Sequence, residues 1–197
     1  MTKIKLCGLF RLADIDAANA ASPDYVGFVF APSKRRIDAI QADVFRRRLR
    51  GDIPAVGVFV DAEIARIAAL YQNGIIQMAQ LHGGESDDYL QELKSLCGIP
   101  IIRTVRMGIN RQNHNCGCAD YLLLDSGAGT GKTFCWSDIK TPSVPWFLAG
   151  GISMENISEA LRQGAYAVDV SSGIETNGRK DPQKMLAIVQ SARSPYR

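Results

Sequence analysis

Apolar residues in this chain gather into short runs that recur at intervals of roughly 20 to 30 residues, most followed by a stretch with helical spacing. The runs span 4–7, 25–30, 55–60, 78–81, 101–105, 121–124, 146–148 and 167–170. They are rich in β-branched and aromatic residues and apolar on consecutive positions, as in Gly57-Val58-Phe59-Val60. That pattern fits parallel strands covered on both faces better than a half-wet antiparallel sheet, which would alternate. Eight runs suffice to close a sheet on itself. The pattern therefore predicts an α/β protein of the (β/α)8 (TIM) barrel class, with an open doubly wound sheet as the competing arrangement.

Helix signals fill most of the gaps. Asp61 is placed to cap a helix with Ile64, Ile67, Ala68 and Tyr71 along one face, and Ser86 precedes Asp87, Asp88, Tyr89, Leu90 and Leu93. Ser153 begins a segment carrying Ile157, Ala160 and Leu161, and Met185, Ile188, Val189 and Ala192 line the last helix. Two gaps are poor: 107–120 has little apolar periodicity and 136–140 is barely one turn. Shortened fifth and sixth helices are expected there. They would also account for a chain of 197 residues where such barrels typically have about 250. Residues 1–197 read as a single domain.

Charge is nearly balanced, with 23 Lys and Arg against 20 Asp and Glu. The clusters Lys34-Arg35-Arg36 and Arg46-Arg47-Arg48 are not interleaved with aromatics, so no nucleic-acid partner is expected, and the second reads as the wet face of a helix. No stretch approaches the roughly 18 apolar residues of a membrane span, and the N-terminus lacks the pattern of a signal peptide. A cytoplasmic protein is expected. The five cysteines are scattered and odd in number, which favours free thiols.

Two apolar runs near the C-terminus stop in small residues, at Ala149-Gly150-Gly151 and at Ser171-Ser172-Gly173. Strands ending this way expose backbone N–H groups, and the loops after strands 7 and 8 are where such barrels commonly hold a substrate phosphate. Polar residues at the carboxyl ends of the strands face the same mouth. These are Cys7, Arg35 or Arg36, Gln80 and His82, Arg103 or Arg106, Asp125 and, within the last strand, Asp169.

A thiol and a carboxyl group across one mouth can bracket a small substrate, one taking a proton while the other gives one, with neither cofactor nor metal required. A free thiol is only a few per cent ionised at neutral pH unless positive charge lowers it, and the basic residues after strand 2 are placed to do so. Asp125 must instead hold its proton, which burial beneath a substrate favours. By position alone Cys7 is also a small buried hydrophobe, Asp169 a satisfied structural carboxylate and His82 a hydrogen-bonded structural histidine.

Two other motifs carry less. The segment Ser126-Gly127-Ala128-Gly129-Thr130-Gly131-Lys132-Thr133 has Ser where a nucleotide-binding P-loop needs its first Gly, and reads better as a Gly-rich lid. His114-Asn115-Cys116-Gly117-Cys118 offers three soft ligands where structural zinc takes four.

The stretches Lys5-Leu6-Cys7-Gly8-Leu9, Ser33-Lys34-Arg35, Gln80-Leu81-His82-Gly83, Leu123-Leu124-Asp125, Leu148-Ala149-Gly150-Gly151 and Val168-Asp169-Val170-Ser171-Ser172-Gly173 stand in the order found in phosphoribosylanthranilate isomerases. The chain resembles that family over nearly its whole length. The resemblance implies an isomerase of tryptophan biosynthesis that converts N-(5-phosphoribosyl)anthranilate to 1-(2-carboxyphenylamino)-1-deoxyribulose 5-phosphate by an Amadori rearrangement. It makes Asp125 the general acid and Cys7 the general base. It also places Arg35 on the anthranilate carboxylate, with Arg36 the alternative one residue on. Asp169 falls near the sugar hydroxyls, and Gly150, Gly151, Ser172 and Gly173 around the phosphate.

Phe10, Ala128 and Cys135 depart from the family pattern without touching the proposed acid or base. Three other readings stand beside the isomerase. An indole-glycerol-phosphate synthase-like barrel would need a lysine acid and paired glutamate, a histidine-pathway isomerase would put Asp where Cys7 stands, and a non-catalytic phosphate-binding module would lose no turnover. The expected partner is a small phosphosugar, and the chain is read as a monomer or homodimer.

Overall fold

Eight parallel strands close into a barrel in sequence order, each hydrogen-bonded to the next and β8 to β1 in the computed structural model, which describes residues 1–107, 116–125, 136 and 139–194. The strands are β1 (Lys3–Cys7), β2 (Tyr25–Val29), β3 (Ala55–Phe59), β4 (Met78–Leu81), β5 (Ile101–Arg106), β6 (Tyr121–Asp125), β7 (Trp146–Leu148) and β8 (Ala167–Val170). They coincide with the eight apolar runs to within a residue at each end. The helices are α1 (Leu12–Ala21), α2 (Ala39–Arg48), α3 (Ile64–Gln72), α4 (Asp87–Cys97), α5 (Ile157–Arg162) and α6 (Pro182–Arg193).

The expected shortened fifth and sixth helices fall on connections that include 108–115, 126–135 and 137–138, outside the described residues; among the described residues neither connection carries an α-helix. The Gly-rich segment 126–133, His114, Ala128 and Cys135 lie outside them too. Among the described residues no helix is long and apolar enough to cross a membrane.

Local chemistry explains most helix boundaries. Ser86 accepts the Tyr89 N–H and caps α4, whose first turn carries Asp87 and Asp88 against the positive end of the helix dipole. Asp181 caps α6 with Pro182 in the first turn. Two expected starts move. Asp61 is not the cap of α3: it sits at φ 46° and its carboxylate accepts the Gly84 N–H, so the helix begins after Glu63. α5 begins after Asn156 rather than at Ser153, whose N–H is taken by the Asn156 side chain. A two-stranded hairpin, β9 (Glu175–Thr176) with β10 (Arg179–Lys180), precedes α6 and has no apolar signature in the sequence.

The core has two compartments. Residues on the outer faces of the strands pack beneath the helices in one large cluster, while Tyr25, Val56, Met78, Ile102, Leu123, Phe147, Ala149 and Ala167 fill the inside of the barrel. Near its amino-terminal end the Phe147 ring lies 5.7–5.8 Å from those of Tyr25, Tyr121 and Tyr166, and the Lys3 ammonium donates to the Tyr166 hydroxyl at 2.8 Å. This aromatic plug supports the polar layers above it, where the side chains turn from apolar to ionisable.

Candidate active site

Alternation along each strand decides which side chains enter the barrel. On β1 the sequence Lys3, Lys5, Cys7 points inward, climbing from plug to mouth; β6 brings in Leu123 and Asp125, and β8 brings in Asp169. Cys7, Asp125, Asp169, Arg35, Gln80, His82, Gly150, Gly151 and Ser172 all line one cavity of about 410 Å³ at the carboxyl ends of the strands. Gly173 is not among the lining residues and packs against the Ile152 and Ser153 backbone. Cys7 and Asp125 are three strands apart around a ring of eight, so they approach the cavity from different sides.

Burial and the Asp169 carboxylate push the Cys7 thiol above its ordinary range, against Lys5 and Lys180, which pull it down. This corrects the expectation that the basic residues after β2 supply the lowering charge. Arg35 is held by Glu175 instead, Nε to Oε1 at 2.5 Å and Nη2 to Oε2 at 3.0 Å. Burial alone would raise the Glu175 carboxyl, but Arg35 and Lys180 overcome it and hold the group at about 2. Lys180 also donates to the Ser171 carbonyl at 2.8 Å, tying the hairpin to the loop after β8. Of the two arginines, Arg35 lines the cavity, whereas Arg36 is exposed and meets Val29 through its backbone.

Asp169 is divided between two tasks. Its Oδ2 accepts from the Lys5 ammonium at 2.9 Å, while among the described residues its buried Oδ1 has no hydrogen-bond partner. A carboxylate oxygen left so in a cavity wall is suited to accept from a ligand hydroxyl. His82 is similarly placed, with Nδ1 3.2 Å from both Gln80 Nε2 and Thr104 Oγ1, and Nε2 3.6 Å from Asp125 Oδ2. Burial, with Arg106 and Lys5, keeps the imidazole below its ordinary value despite Asp125.

The loops after β7 and β8 form the opposite wall. Gly150 and Gly151 adopt φ of 92° and 65°, the left-handed region that glycine enters without steric cost, and this turns their backbone toward the cavity. Among the described residues no acceptor takes either N–H. The chain after β8 enters a single 3-10 turn, Ser172–Ile174.

Sequence reasoning missed three residues. Lys5, Glu175 and Lys180 are charged groups drawn into the structure, and Lys5 is fully buried. For Lys5 a signal existed: it stands two residues before Cys7 on the same strand and so shares its face. For the hairpin pair none did. Arg103, a candidate for the mouth, is engaged by Asp87 instead, while Arg106 lines the cavity.

The chain is similar to known proteins over nearly its full length. The family model described as N-(5'phosphoribosyl)anthranilate (PRA) isomerase matches residues 4–191. An N-(5'-phosphoribosyl)anthranilate isomerase of Endomicrobium trichonymphae is 42% identical, covering 98% of this chain and 100% of its own. That of Streptococcus mutans is 38% identical with the same coverage. The crystal structure of phosphoribosyl anthranilate isomerase from Thermus thermophilus superposes with a TM-score of 0.85 at 30% identity, covering 96% of this chain and 97% of that one. A phosphoribosyl anthranilate isomerase in complex with reduced 1-(o-carboxyphenylamino)-1-deoxyribulose 5-phosphate superposes with a TM-score of 0.82 at 29% identity, covering 98% and 99%. By sequence and by architecture, the chain belongs to the N-(5'-phosphoribosyl)anthranilate isomerase family of tryptophan biosynthesis.

Proposed function

We propose that this site isomerises N-(5-phosphoribosyl)anthranilate by an Amadori rearrangement, with Asp125 as general acid and Cys7 as general base. The observation that carries the assignment is the convergence of both groups, from β6 and β1, on one cavity whose other walls offer an arginine and two glycine-rich loops. Asp125 gives its proton to the furanose ring oxygen as the C1–O bond breaks, and the nitrogen lone pair forms the Schiff base. Cys7, as thiolate, then takes the C2 proton, and the C–H electrons flow into the enolamine. Proton transfer from the C2 hydroxyl to C1 yields the ketone. Over the cycle Asp125 has lost a proton and Cys7 has gained one, so both must exchange protons before the next turnover.

The remaining groups position the substrate. Arg35, held in place by Glu175, meets the anthranilate carboxylate; Asp169 Oδ1 accepts from a sugar hydroxyl; Gly150, Gly151, Ser172 and Gly173 hold the phosphate through backbone N–H groups. Charge-assisted hydrogen bonds of this kind contribute about 1.5–3 kcal/mol each. No step calls for a cofactor or a metal.

The test is steady-state turnover of phosphoribosylanthranilate, followed by loss of its fluorescence, in wild type, Cys7→Ser and Asp125→Asn. Positioned acid and base groups are each worth roughly 10²- to 10⁴-fold. Both variants should lose kcat by that order with much smaller changes in KM. Wild-type turnover that survives either substitution undiminished removes that residue from the mechanism, and an inactive wild type that still binds phosphate points to the non-catalytic module.

A further inference from the structure

Lys5 is a fully buried cation, with its Nζ 2.9 Å from Asp169 Oδ2 and 2.9 Å from Gln80 Oε1. A buried ion pair is seldom retained for stability, since apolar residues of similar volume usually serve a core at least as well. What the ammonium does instead follows from hydrogen-bond polarity. A lysine can only donate, so Gln80 must present its carbonyl oxygen to Lys5. The amide NH2 is thereby turned to His82 Nδ1, 3.2 Å away, where the Thr104 hydroxyl also approaches. An amide NH2 can only donate as well. Nδ1 is therefore the acceptor and the imidazole proton sits on Nε2, the atom facing Asp125 Oδ2 at 3.6 Å. The polar series Asp169, Lys5, Gln80, His82, Asp125 crosses the barrel from β8 through β1 and β4 to β6.

We propose that Lys5 is a positioning residue for both ends of the reaction: its ammonium supplies positive charge beside the Cys7 thiol, and through Gln80 it fixes His82 as the Nε2–H tautomer that faces Asp125. The catalytic consequence rests on the roles proposed above for Cys7 and Asp125; the charge and the tautomer do not. The charged groups bearing on Cys7 are Lys5 on its own strand, Asp169 of β8 and Lys180 of β10. Those bearing on His82 are Asp125, Arg106, Lys5 and Asp169. Of the two lysines bearing on Cys7, Lys180 is held by Glu175 and Ser171, and Lys5 is the one joined through Gln80 to His82.

Two measurements that need no turnover test this. The chain has two histidines, so nitrogen-15 NMR with His114→Gln as the assignment control reports His82 alone. In wild type Nδ1 should be unprotonated and Nε2 protonated. Lys5→Met frees the Gln80 amide to rotate, and the tautomers should mix. Cys7 ionisation is read as thiolate absorbance, by difference against Cys7→Ser in each background. Lys5→Met should move it to higher pH and Asp169→Asn to lower pH, whereas loosening of the fold would move both toward an ordinary exposed thiol. In turnover, Lys5→Met should lose about 10²-fold in kcat with KM far less affected.

Should Lys5→Met fail to fold around an unpaired Asp169, the neutral pair Lys5→Met/Asp169→Asn carries the tautomer measurement, with mixing again expected. A single Nε2–H tautomer in either folded variant, or Cys7 ionisation unmoved in Lys5→Met, overturns the proposal. Shifts as expected in a wild type that does not turn over phosphoribosylanthranilate support the positioning role and refute the isomerase reading instead.

Discussion

Gly173 is where the proposed phosphate loops can be perturbed without touching a group proposed to contact substrate through its side chain. A methyl group placed on its α-carbon would lie 1.9 Å from the Ile152 carbonyl oxygen and 2.8 Å from the Ser153 α-carbon. Both obstacles are backbone. Reaching even the tightest tolerable contact requires the loops after β7 and β8 to separate by about 1 Å, and charge-assisted hydrogen bonds of about 2.7–2.9 Å do not survive such a stretch. If one or two phosphate bonds are lost in Gly173→Ala, at about 1.5–3 kcal/mol each, phosphate affinity falls by at least about tenfold. The assay is KM for phosphoribosylanthranilate alongside competitive inhibition by inorganic phosphate, with thermal unfolding to confirm the fold. Both constants should rise together while kcat changes less. Ser172→Ala, which keeps the backbone N–H, should change neither much. An unaltered phosphate constant in folded Gly173→Ala would refute the assignment of these loops to the phosphate.

Arg35→Met should raise KM by roughly tenfold or more, the worth of one charge-assisted bond, while Arg36→Ala leaves it nearly unchanged; equal effects would mean that the carboxylate is bound elsewhere. Glu175 should make stability depend on acid pH. Its carboxyl is held at about 2 in the fold against an ordinary 4.5, so its contribution is present above 4.5 and is lost as pH falls toward 2. Glu175→Gln should flatten the urea-midpoint profile across that window. Phe147→Ala, which empties the centre of the aromatic plug, should cost about 3–5 kcal/mol in denaturant unfolding, with a cavity at the barrel floor and no change in Arg35 or Gly150.

Periodicity narrowed the architecture to a closed barrel or an open doubly wound sheet, and the pairing of β8 with β1 shows the barrel. Strands covered on both faces must be apolar at consecutive positions, and eight such runs with helical stretches between them leave few ways to bury everything. The strand ends then named Cys7, Asp125, Arg35 or Arg36, and the glycine loops, because in a barrel the ends of strands share one mouth. The helix starts expected at Asp61 and Ser153 lie elsewhere because a short polar side chain serves other backbone as readily as a cap: Ser153 Oγ accepts the Glu155 N–H in a local turn, and Asp61 accepts the Gly84 N–H from the loop after β4. Electrostatics was decided by tertiary structure. Which cation faces the Cys7 thiol depends on pairings over 164 residues, such as Lys5 with Asp169, and on a hairpin whose charged residues carry no apolar pattern. Apolar periodicity records which face of a segment is buried. It holds no information on which buried charges meet, and that is set only when β8 closes against β1.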